Sequence, residues 1–462
     1  DFFRLSIFHV ISGKQGIVFT DVGMGCDAEF QKCGSLFFQP LFFTIYTRSV
    51  TMIFKPSLPT FWARRHLLAG TAAAAALGLL GCGGGGGAGI SDSLAGVGSG
   101  GTGSFASGPI RGFGSVIINN VRYDDSTASI ATEGGKTARA ADLKLGMVAE
   151  VTGSDITTDT TGQRRATASA ISVRSEVEGP LTAIDTAAGT LTVLGQRVQV
   201  TANTVFDDDL RGGLASLAVG QIVEVYGLLN SAGQYTATRI EREDSFTSQY
   251  KLRGVVSGLN TTARTFRIGT AVVFYGDVAN QAVPLADGQY ARVELFTTPT
   301  GGQWRASRLQ VTSTGTNLPT IGNVNVELEG YITAYVSTTQ FSVNGTSVQV
   351  PGGVRLPAGL ALGQRVEVKG VLTNGQITAR EVELEDDDGG VDDGGFEIEG
   401  AITQIDTAAR TFTVRGVVVN FANARFEDGT AANLVVGVKV DVKGQLASNG
   451  TVVVAQEVEF DN

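Results

Sequence analysis

From residue 108 onward, apolar and polar residues alternate in short runs, the period of a half-buried β-strand. Val366-Glu367-Val368 and Thr411-Phe412-Thr413-Val414 show the alternation most plainly. Asp406-Thr-Ala-Ala-Arg410 lies between two such runs and predicts a hairpin turn. No apolar stripe after position 108 keeps helical spacing for three turns. Only a short segment ahead of each Leu-x-x-Gly stretch, such as Gly212 to Leu217, predicts a single helical turn.

The pattern repeats. Leu217-Ala-Val-Gly-Gln-Ile-Val-Glu-Val-Tyr-Gly227 recurs as Leu143 to Gly153, Leu360 to Gly370 and Leu434 to Gly444, with a degraded copy at Leu285 that lacks the last glycine. These starts lie 74, 68, 75 and 74 residues apart. A second stretch precedes the first. Glu178-Gly-Pro-Leu-Thr-Ala-Ile-Asp185 matches Glu399-Gly-Ala-Ile-Thr-Gln-Ile-Asp406, and weaker copies begin at Arg253 and Glu329. Each unit closes on an alanine and an aliphatic residue three positions later: Ala168/Ile171, Ala237/Ile240, Ala306/Leu309, Ala379/Val382 and Ala455/Val458.

A unit of this size with four to six short strands cannot leave a flat sheet with bare edges. Closure into a small barrel removes the edges. The reading is therefore all-β, with five tandem OB-like barrels at 108–175, 176–246, 250–314, 324–386 and 396–462, and small β-sandwiches as the second choice. Residues 387–395 read as an acidic, glycine-rich linker between the fourth and fifth units.

The order Glu-Gly-x-Ile-x-x-Ile-Asp, then Leu-x-x-Gly-x-x-Val-Glu-Val-x-Gly, then Ala-x-x-Val-Glu resembles the bacterial family catalogued as domain of unknown function 5666. The resemblance spans most of 108–460 and is strongest in the second, fourth and fifth units. It implies tandem domains in an exported protein and carries no established activity. The closing part of a unit also resembles the OB barrel of a periplasmic haem chaperone, which needs a haem-attaching histidine. No histidine follows position 66 here.

The N-terminal part has a different texture. From Met52, a basic stretch (Lys55, Arg64, Arg65) leads into an apolar run, Leu67 to Leu80, and then Leu79-Leu80-Gly81-Cys82. The apolar run is shorter than the roughly 20 residues that span a bilayer. Residues 52–81 read as a signal peptide, and their end resembles the lipobox of bacterial lipoproteins. That resemblance implies cleavage before Cys82, lipidation of Cys82 and a membrane anchor of several acyl chains. Gly83 after the cysteine implies the outer membrane, periplasmic or surface-facing. Arg64-Arg65 fits either a twin-arginine export signal or a plain basic start. Residues 1–51 read as upstream translation, and the Gly/Ser-rich stretch 82–107 as a flexible tether.

Charge and rare residues narrow the chemistry. Of 35 basic and 45 acidic residues, 7 and 4 precede Cys82, which leaves 28 and 41 and a net charge of −13. An acidic body disfavours nucleic acid as a partner and leaves an envelope protein or glycan. The histidines are His9 and His66, and the cysteines other than Cys82 are Cys26 and Cys33. A chain starting at Cys82 thus lacks the makings of Ser-His-Asp or Cys-His catalysis and of a Cys/His zinc site. No catalytic residue and no cofactor is expected.

Three sets of residues are candidate sites. The fourth residue after the block glycine is acidic in four units, Glu150, Glu224, Glu367 and Asp441, and is Arg292 in the third. Strand alternation turns these outward, toward solvent or a cross-strand Lys/Arg, and a row of ligand or cation contacts is the alternative. Asp386, Asp387, Asp388, Asp392 and Asp393 form the densest acidic run and are the weak metal candidates. They lack the alternating order and distal Glu of a calcium loop. Asp207-Asp208-Asp209 is a lesser version. Paired carboxylates would also admit a glycan hydrolase, though no pair stands out. Trp304, Tyr226, Tyr235, Tyr331 and Tyr335 are either stacking surfaces or core and edge aromatics.

Overall fold

The computed structural model describes residues 103–461, apart from 133–134, 244–247, 279–283, 313, 320–321 and 386–394. The expected signal peptide, Cys82, most of the tether, and Asp386, Asp387, Asp388, Asp392 and Asp393 lie outside the described residues.

Barrel 2 shows the plan. The five strands that close it are Val177–Asp185, Thr190–Val193, Gln196–Gln199, Ile222–Leu229 and Tyr235–Arg242. The first pairs with the second, the second with the third, the third in parallel with the fifth, the fifth with the fourth, and the fourth with the first. This closed order, 1-2-3-5-4-1, is OB-like and leaves no bare edge. The same order closes barrels 3, 4 and 5, whose first strands are Gln249–Asn260, Val324–Ser337 and Phe396–Asp406. Barrel 1 follows it with a first strand broken into Ser104–Pro109 and Gly112–Phe113. The units are barrels, not sandwiches.

The repeated glycines are explained by this plan. In every barrel the block glycine donates its N–H to a first-strand carbonyl: Gly146 to Ile110, Gly220 to Leu181, Gly288 to Val256, Gly363 to Ile332 and Gly437 to Ile402, at 2.8–2.9 Å. All five sit at φ between +81° and +94°, where a side chain is strained. The second glycine of the block, Gly153, Gly227, Gly370 or Gly444, lies at a bulge where a Cβ would press on the fifth strand's backbone carbonyl. The predicted helical turn appears as a 3₁₀ turn in barrels 1, 2 and 5, at Ala140–Asp142, Gly213–Ser216 and Ala431–Asn433, but not ahead of Leu360 in barrel 4. The predicted hairpin turn is built by Asp406, whose carboxylate accepts the N–H groups of Ala408 and Ala409, both at 2.9 Å.

Two boundaries are corrected. The tether does not reach residue 107, because the first strand starts at Ser104. Its small residues look like linker for a physical reason. Ser104–Pro109 is squeezed between the barrel's own fourth strand and, in parallel, the first strand of barrel 4. Phe105 and Ala106 are almost wholly buried there. Barrel 3 opens one residue early, at Gln249.

The structure also settles how the barrels meet, which the sequence leaves open. They are not hung side by side as separate bodies. Gly112–Phe113 of barrel 1 pairs in parallel with Glu397 and Ile398 of barrel 5, and Val177 and Glu178 of barrel 2 pair with Leu252 and Lys251 of barrel 3. First strands therefore join barrel 1 to barrels 4 and 5, and barrel 2 to barrel 3. Loops add to this: Phe206 of barrel 2 donates its N–H to the Gly450 carbonyl of barrel 5 at 2.7 Å.

The candidate site is a charged rung between barrels

The acidic residues found by sequence lie on one recurrent feature. In barrel 2, Glu178, Glu224 and Glu241 stand directly opposite one another on the first, fourth and fifth strands. Barrel 4 has Glu329, Glu367 and Glu383 at the same places, and barrel 5 has Glu399, Asp441 and Glu459. The row is Ser107, Glu150, Ser172 in barrel 1 and Arg253, Arg292, Gln310 in barrel 3. The neighbours of these residues along each strand point into the core, so the rung points out of the barrel.

Carboxylates placed opposite one another repel, so an outward rung of three needs cations. They come mainly from other barrels. Arg122 of barrel 1 reaches across to barrel 5, to Glu399 at 3.0 Å, Asp441 at 3.1 Å and also Glu397. Its side chain is 7% exposed. Burial pulls the Arg122 pKa down, but the charges of Glu397 and Asp441 outweigh that and raise it. Lys251 of barrel 3 serves barrel 2, with Nζ 2.5 Å from Glu178 and 3.2 Å from Glu224. Arg253 of barrel 3 meets Glu176 of barrel 2 at 3.0 Å, and Tyr290 donates to the same carboxylate. Arg111 of barrel 1 joins Arg365 on Glu329 of barrel 4. Burial pushes Glu329 up, yet the two guanidinium groups hold it below the usual carboxylate range.

The expectation that Glu150, Glu224, Glu367 and Asp441 face solvent or their own cross-strand bases is therefore corrected in its destination. Alternation does turn them outward, but outward here means toward other parts of the same chain, barrel 3 for Glu224 and barrel 1 for Asp441. Glu150 and Glu367 are only 8% and 3% exposed. Glu150 accepts from Arg174 and from the backbone N–H of Asn317, in the segment leading to barrel 4. Arg292, standing at the third unit's position, belongs to a rung turned basic, whose Arg253 complements barrel 2. No sequence signal in a single unit marks which neighbour it will face.

The remaining candidates resolve as structure. Tyr226, Tyr235 and Tyr331 are buried. The Tyr235 and Tyr290 hydroxyls meet at 2.6 Å between barrels 2 and 3. Trp304 packs edge-on against Tyr250, and Tyr335 packs on the core of barrel 4. Asp207 and Asp209 are held by Arg239 and Arg242. Among the described residues, two sets of three carboxylates come close enough to share an ion, Glu224/Glu241/Glu243 and Glu427/Glu457/Glu459. Lys251 and Arg239 already bind the first set, and Arg425 and Lys443 the second. Where barrels 1 to 4 meet, a cavity of about 30 Å³ with a mixed polar and apolar lining is formed by Ser107, Glu176, Tyr235, Tyr290 and Leu228 among others. It has room for one or two waters, far less than a cofactor pocket.

Three segments match the family model described as a domain of unknown function (DUF5666): residues 178–241, 329–383 and 399–459. These are barrels 2, 4 and 5, the three with all-acidic rungs, and each match begins on the first-strand acid of its rung and ends on the fifth-strand acid. No curated protein matches the chain. Among solved structures, drosophila Unr CSD456 is similar at 14% identity over 46% of this chain and 97% of its own, with a TM-score of 0.13. That likeness is too slight to bear on fold or function.

Proposed function

This chain is a tandem-repeat protein of the domain of unknown function 5666 family, and from that premise we propose that it is a non-catalytic envelope lipoprotein whose barrels form one binding or structural module. The observation that carries the reading is the fate of the rungs. Barrels meant to act singly would keep their charged outer faces for ligands. Here those faces are joined to other barrels of the same chain, as Arg122 and Lys251 demonstrate. What the fold offers a partner is the surface of the whole array, set off from a membrane by a glycine-rich tether.

The address rests on Leu79-Leu80-Gly81-Cys82 and the basic, then apolar, stretch before it. The partner in this reading is an envelope protein or glycan, and nucleic acid is disfavoured by the net charge of −13 after residue 81. Intact-mass analysis of the membrane fraction, beside a Cys82→Ala control, tests it. The expected result is a mass that starts at lipidated Cys82, with the variant soluble. A membrane-bound variant, or a chain that keeps the residues before Cys82, contradicts the proposal.

A further inference from the structure

Glu367 is the middle residue of barrel 4's rung and differs from its counterparts. Glu150, Glu224 and Asp441 each have a cation. Glu367 has none within ion-pair distance among the described residues, and its Oε1 is buried without a hydrogen-bond partner. The flanking Val366 and Val368 fill the barrel core, so Glu367 points outward, yet it is 97% buried. What lies over this face is barrel 1. Asn119 donates to the Glu327 carbonyl at 3.2 Å, and Arg111 and Arg164 reach Glu329 and Glu327.

Every charged group around Glu367 is engaged elsewhere. On the first strand of barrel 4, Glu329 holds Arg111 and Arg365, and Glu327 holds Arg164, with its second oxygen also buried and unpartnered. On Glu367's own strand, Lys369 bonds Glu381 and Glu383 of the fifth strand at 3.3 and 2.7 Å. Glu385 stands near Arg111 at 4.0 Å. Tyr123 of barrel 1 is buried on the far side and carries no charge. An ionised Glu367 would thus be a buried charge beside two other carboxylates with no cation of its own, which a fold does not tolerate cheaply.

We propose that the contact between barrels 1 and 4 is a pH-gated latch with Glu367 as its gate. Burial, reinforced by Glu327, Glu329 and Glu385 against the pull of Lys369, pushes the Glu367 carboxyl from 4.5 up to about 9. In an opened seam the carboxyl meets water and returns to the ordinary value. Closing therefore takes up a proton from solvent. Glu367's contribution to the closed seam is complete below pH 4.5 and falls tenfold for each pH unit up to about 9, where its linkage ends. Each barrel keeps its own closed sheet throughout, so the seam parts before the barrels unfold.

Amide hydrogen exchange within Ser104–Ser107, at the N–H groups that bond barrel 4 and not the barrel's own fourth strand, reads the seam directly. After correction for the intrinsic rate, protection should fall about tenfold per pH unit between pH 6 and 9 in the full chain. Glu367→Gln mimics the protonated acid in nearly the same volume and should flatten that slope. Glu383→Gln, at the half-exposed end of the same rung, should leave it. A wild-type protection that does not change with pH overturns the latch without recourse to any variant. So does a Glu367→Gln protein that keeps the wild-type slope.

Discussion

Arg122 belongs to the third strand of barrel 1, and its three carboxylate partners belong to barrel 5, 275 to 319 residues away in sequence. Replacing it with alanine leaves Glu397, Glu399 and Asp441 facing one another without their common cation. Glu399 and Asp441 keep some contact with water, which softens the penalty. The expected loss is about 2–4 kcal/mol in denaturant unfolding of the whole chain. A loss below about 0.5 kcal/mol would show the rung to be an ordinary surface ion pair. At this scale the sequence was half legible. Alternation and spacing picked out Glu150, Glu224, Glu367 and Asp441 as equivalent outward residues. Their partners could not be read, because the residue type at those places changes from unit to unit: Glu176, Glu327 and Glu397 stand where barrel 3 has Lys251.

The strand blocks were the most legible element. The alternating runs, the Asp-initiated hairpin and the glycines of the Leu-x-x-Gly block all express local backbone needs that a sequence states openly. Ser104–Pro109 was missed because tertiary crowding, not strand propensity, selects its small residues. The two glycines of the block should fail differently on substitution. Gly220 has open space around it, so Gly220→Ala costs only the strain of φ +94°, about 1–2 kcal/mol. A Cβ on Gly227 would lie 2.5 Å from the Thr236 carbonyl oxygen, so Gly227→Ala should cost more and shift the fourth strand's amide spectrum. Equal costs would contradict this assignment. The residue before the block glycine gives a second contrast. Val219, Leu362 and Val436 are 64%, 55% and 60% exposed, whereas Leu145 of barrel 1 is 3% exposed in a cluster with Val205 and Tyr226 of barrel 2. Leu145→Asp should cost about 3 kcal/mol or more, and Leu362→Asp less than about 0.5 kcal/mol. Thermal melts of the two variants check it.

For the whole molecule, order along the chain and order in space part company. Barrel 1 is followed by barrel 2 in sequence but shares strand pairing with barrels 4 and 5, while barrel 2 pairs with barrel 3. Five near-copies of one unit state their own fold five times, yet say nothing about which copies meet. That choice lies in the departures from the repeat: the broken first strand of barrel 1, its arginines, and the basic rung of barrel 3. Small-angle X-ray scattering of the full chain, in buffers of low and high salt, tests this assembly most directly. Joined barrels predict a single-peaked distance distribution that holds at both salts, since backbone pairing and buried ion pairs are weakly screened. A distribution with separate peaks at the spacing of successive barrels, or one that spreads out on adding salt, would mean that the barrels are independent beads and that the rungs join nothing.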